Sequence, residues 1–121
     1  MRVTIGLFLF AFCLCVKCYA GEAHILEVKI ERESDKNISV SATVQHDDDG
    51  WEHYADRWEI LDGDGKLLDT RVLMHPHSKE PFTRSLPAAK IPAGTKKIRV
   101  RAHDSVHGYG GEEIVAEITA P

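Results

Sequence analysis

Apolar and polar residues alternate along this chain with a period of two, the spacing of strands that bury one face. Leu26, Val28 and Ile30 interleave with Glu27, Lys29 and Glu31, and Ile38, Val40, Ala42 and Val44 with Ser39, Ser41 and Thr43. Trp58 and Ile60 are set between Arg57 and Glu59, and Ile98, Val100 and Ala102 between Arg99, Arg101 and His103. No stretch carries a helical period. Between the alternating runs stand turn formers: Ser34-Asp35-Lys36-Asn37, Asp62-Gly63-Asp64-Gly65, the segment 87–94 rich in Pro, Ala and Gly, and Gly108-Tyr109-Gly110-Gly111. Asp and Gly tolerate the positive φ of tight hairpins. The pattern predicts strands at 24–31, 37–46, 55–62, 66–74, 81–86, 96–103 and 114–118. Seven short strands of this kind read as an all-β, immunoglobulin-like antiparallel β-sandwich, with Trp58 as the core tryptophan of the third strand. Pro81 puts the fifth strand at an edge.

Residues 1–20 do not share the alternation. Arg2 is followed by an apolar run to Val16 broken only by Thr4 and Gly6, and Cys18-Tyr19-Ala20 ends in small residues suited to cleavage. This is the layout of a secretory signal peptide, and the run is shorter than the roughly 20 residues of a membrane span. Lys17 before Cys18 argues against an acylated cysteine. The expectation is an exported protein, periplasmic or secreted, with its domain at 21–121 and no membrane span once the signal is removed. All three cysteines, Cys13, Cys15 and Cys18, would leave with the signal, so the mature domain would hold no disulfide, thiolate ligand or cysteine nucleophile. The chain has 15 Lys plus Arg against 19 Asp plus Glu, a net charge of -4, which argues against a nucleic-acid partner.

Seven histidines in 121 residues are the unusual feature. With strands running alternately down and up, His24 begins the first strand, and His46 and His53 flank the loop after the second. His75 and His77 follow the fourth, and His103 and His107 close the sixth. All seven then fall at one end of the sandwich. By parity, His24, His46 and Asp104 continue the inward rows led by Leu26, Val44 and Ala102. Imidazoles converging at the mouth of a sandwich suit Fe, Cu, Zn or Ni.

His24 after Glu22-Ala23, His46 followed by His53-Tyr54, Trp58-Glu59-Ile60-Leu61 before a glycine turn, and His107-Gly108 near the end together resemble superoxide reductase, the iron domain of desulfoferrodoxin and neelaredoxin. The resemblance implies an immunoglobulin-like fold and a mononuclear iron held by four equatorial histidines, here His24, His46, His53 and His107. It also implies a redox partner. Two positions differ from that family. Asp104 stands where its axial Cys would be, and Ala23 where its Lys precedes the first His. Asp104 becomes the candidate fifth ligand, and His75, His77 and His103 a second tier or an alternative set.

Other chemistries are less well supported. Ser105 lies among His103, Asp104 and His107, but without a nucleophile-elbow motif. Asp47-Asp48-Asp49-Gly50 lacks the spacing of a calcium loop and reads as a solvated acidic face, with orientation of His46 or His53 as its alternative role. Trp51 and Tyr109 are candidate lids or loop anchors. Three readings follow: a superoxide-reductase-like metal domain with iron as its metal, a non-enzymatic copper or zinc binding or delivery protein, and an immunoglobulin-like interaction module whose histidines are incidental.

Overall fold

The structure, a computed structural model, describes residues 21–34, 36–48, 50–77 and 79–119. The signal-peptide expectation for residues 1–20 lies outside the described residues. Seven strands form where the alternation places them: β1 His24–Arg32, β2 Ile38–Gln45, β3 Ala55–Leu61, β4 Leu67–Val72, β5 Phe82–Leu86, β6 Lys97–Asp104 and β7 Ile114–Glu117. They make two antiparallel sheets, β1-β2-β5 and β4-β3-β6-β7. β5 is an edge strand, as Pro81 at its entrance requires. The β3–β4 hairpin is closed by Asp62, whose Oδ1 accepts from the Asp64 and Lys66 N–H groups at 2.8 and 2.9 Å, while Gly65 takes the left-handed φ of 86°.

The core lies between the sheets. Val40, Ala42 and Val44 of β2 face Trp58 and Ile60 of β3 and Ile98, Val100 and Ala102 of β6, all buried. Each large side chain in this set contributes about 1.5–3 kcal/mol by leaving water. One inward position is corrected. A bulge between Ile25 and Glu27 shifts the register of β1 against β2, so Ile25 turns inward and Leu26 is left 50% exposed. Val28 and Ile30 still pack on the core.

The chain crosses between sheets at three places, and two of the crossings, 46–54 and 73–81, lie at the end where β2 and β4 finish. β1 starts at that end and β6 finishes there. The antiparallel register therefore gathers all seven histidines at one end of the sandwich, with Val44–His46 and Ala102–Asp104 leading inward rows into its mouth.

Candidate metal centre

Asp104 is the last residue of β6 and is 0% exposed. Its Oδ1 accepts from the backbone N–H groups of Val106 and His107 at 2.7 and 2.6 Å. That turn is sealed by paired Asp104–Gly108 backbone bonds of 3.0 Å, and Gly108 supplies the φ of 75° it needs. Oδ1 being occupied, Oδ2 faces the mouth. Three imidazole nitrogens converge on it: His46 Nε2 at 3.0 Å, His53 Nε2 at 3.1 Å and His107 Nδ1 at 3.2 Å. Burial alone would raise the Asp104 pKa. The two backbone N–H groups, with His53 and His46, outweigh it and hold the carboxyl far below its usual range.

One donor atom from each of His46, His53 and Asp104 lies within 4.8 Å of the others, so these three residues could hold a metal ion. The His53 and His107 rings are 4.9 Å apart, which sets His107 on the border of the group. The Gly21 carbonyl is 3.3 Å from His46 Nε2 and 3.4 Å from His53 Nε2. A Cβ on Gly21 would stand 3.0 Å from the His107 ring, so this approach is tighter than most side chains permit.

Asp48 fixes which nitrogen of His46 faces the site. Its Oδ1 accepts from Ala55 N–H at 3.1 Å and contacts His46 Nδ1, and its Oδ2 accepts from His77 N–H at 2.5 Å. A carboxylate can only accept here, so the proton of His46 belongs on Nδ1. In the neutral ring Nε2 then carries a lone pair, aimed at Asp104 Oδ2 and the Gly21 carbonyl. Three acceptors face one another, an arrangement that a cation resolves. A carboxylate that orients a histidine toward a metal is a recurrent partner in such centres.

The remaining histidines are not part of this three-residue group. His24 is buried and its Nδ1 accepts from Glu112 N–H at 2.8 Å, so metal ligation by His24 would have to use Nε2. His103 points to the outer face of the sheet, with Nδ1 2.7 Å from Asp56 Oδ1 and its ring edge-on to Tyr109 at 4.8 Å. His75 and His77 pair with each other, with ring centroids 4.7 Å apart. Ser105 Oγ accepts from Tyr54 N–H at 3.0 Å, a loop contact rather than a nucleophile's position. Trp51 is exposed and packs edge-on to Tyr54.

Tyr109 is a loop anchor. Its hydroxyl donates to Glu59 Oε2 and accepts from Arg57, each at 2.9 Å, and the Arg101 guanidinium lies 3.8 Å from its ring centroid. Arg57 and Arg101 also donate to Glu59 at 2.8 and 2.9 Å. Burial pushes the Glu59 carboxyl up, and the bonds from Arg57, Tyr109 and Arg101 outweigh it, leaving its pKa below the ordinary value. The segment carrying Asp104 and His107 is thus pinned at both ends. Neither the Gly21 carbonyl nor Glu59 was legible as a site element. A backbone carbonyl has no residue signature, and Glu59 sits in a strand whose alternation assigns it to solvent.

No family model matches the chain, and no solved structure matches it. It is similar to a protein of Halomicrobium mukohataei named "Putative lipoprotein", 41% identical over 96 residues, which is 79% of this chain and 47% of that protein. The chain therefore spans about half the length of the curated relative it matches.

Proposed function

We propose that the chain is an exported domain whose mouth holds a single metal ion through His46, His53 and Asp104, bordered by His107. The orientation of His46 carries this reading. Asp48 accepts a hydrogen bond from its Nδ1–H and so turns the Nε2 lone pair toward a buried carboxylate and a carbonyl. Export is supported by the signal-like sequence of residues 1–20 and by the relative named as a lipoprotein.

Two imidazoles and a carboxylate with open positions suit ferrous iron. The superoxide-reductase resemblance adds the activity, reduction of superoxide with electrons from a redox partner. Asp104 in place of the family's axial thiolate weakens the reductase activity and leaves room for a second reading, non-enzymatic copper or zinc binding through the imidazoles. Metal analysis of protein purified anaerobically separates them. About one equivalent of iron that reacts with superoxide supports the first. Bound copper or zinc that does not react selects the second. Protein that takes up none of the three overturns the metal centre and leaves the interaction module.

A further inference from the structure

Met74, His75, Pro76 and His77 follow β4 in the crossing to β5, next to the metal centre but outside it. The His75 and His77 rings are 4.7 Å apart and tilted by 34°, close to the 5.0 Å of His46–His53 and the 4.9 Å of His53–His107. His77 is held in place. Its ring stacks on Phe82 at 3.8 Å and 10°, its side chain is 8% exposed, and its N–H donates to Asp48 Oδ2.

Both rings present Nε2 as the lone-pair atom. His75 Nδ1–H donates to the Pro76 carbonyl at 3.0 Å, which leaves Nε2 as its acceptor. His77 Nδ1 is buried with no hydrogen-bond partner among the described residues, 4.0 Å from Asp48 Oδ2. A lone pair there would face a carboxylate, so the proton sits on Nδ1 and Nε2 keeps the lone pair. Met74, at the same turn, is 72% exposed. Two imidazoles with a thioether make a donor set suited to copper.

We propose that Met74, His75 and His77 form a second, surface metal site that takes a copper ion. Asp48 links it to the inner centre, holding His46 with one oxygen and the His77 backbone with the other. The proposal builds on the inner-centre reading only through this link. Its test is titration of the intact protein with Cu(I) against a chromophoric chelator, in wild type, in the doubly substituted Met74→Ala/His75→Ala protein and in His53→Ala. Met74 and His75 are both exposed, so their removal leaves the core untouched. Wild type is expected to bind two equivalents, the double variant one, and His53→Ala one. An equivalent lost in the double variant but kept in His53→Ala supports the surface site even if the inner centre takes no copper. An unchanged equivalent count and affinity in the double variant overturns it. So does loss of all copper in both variants, which would mean one shared site, and so does failure of the wild type to bind copper.

Discussion

At Asp48 both carboxylate oxygens are committed within the protein: Oδ1 to His46 and Ala55, Oδ2 to the His77 backbone. Asp48→Asn replaces one accepting oxygen by a donating amide and leaves either His46 or a backbone N–H without its acceptor. Metal affinity should fall by about 10–100-fold, read by chelator competition. The metal-free protein should lose about 1–3 kcal/mol in denaturant unfolding. Asp104 has two separable jobs, one per oxygen. Asp104→Ala removes both, so it should abolish tight binding and also cost about 1–3 kcal/mol for the stranded Val106 and His107 N–H groups. Asp104→Asn can keep the loop bonds through its carbonyl oxygen but loses the charge. The expected result is a smaller loss in unfolding than in Asp104→Ala, with metal affinity down at least about tenfold. Unchanged affinity in Asp104→Asn would remove the carboxylate from the coordination sphere.

At the scale of elements, the β6–β7 loop is the part of the site that the fold holds most deliberately, through Asp104 at one end and Tyr109 at the other. Tyr109→Phe keeps the ring against Arg101 but removes the hydroxyl shared by Glu59 and Arg57. Metal dissociation should quicken while secondary structure, read by circular dichroism, stays unchanged. Glu59 makes this anchor sensitive to acid. Its folded pKa lies below its ordinary value, so its contribution is fully present above the unfolded value of about 4.3 and is lost as pH falls through the folded value. Asp104 acts with the same sign at lower pH, so Glu59→Gln should flatten only the upper part of the acid limb in a series of urea midpoints against pH. The strands themselves were legible because one face of each is buried, and parity alone placed His46 and Asp104 inward. Leu26 was misplaced because a bulge is a local change of register that alternation does not encode. Asp48 could be read only as one of two options, since an acidic residue in a loop has the same signature whether it is solvated or buried against a histidine.

For the molecule as a whole, a metal that binds the folded state and not the unfolded chain stabilises it by mass action, about 2.7 kcal/mol at a free concentration of 100 Kd. The thermal midpoint should therefore rise with added ferrous iron in wild type and stay fixed in His53→Ala. The centre also has a particular place in the order of folding. His46 and Asp104 are 58 positions apart, and the Gly21 carbonyl comes from 25 positions before His46. Contacts of such long sequence separation close late, after the entropy of intervening loops has been spent. A chain still threading through an export channel would hold no assembled centre, only scattered histidines. Sites of this donor type rank divalent metals by intrinsic affinity, so what they carry depends on what is available when they close. If the domain folds outside the cytoplasm, its metal is chosen there, by the compartment where β6 finally docks against β3.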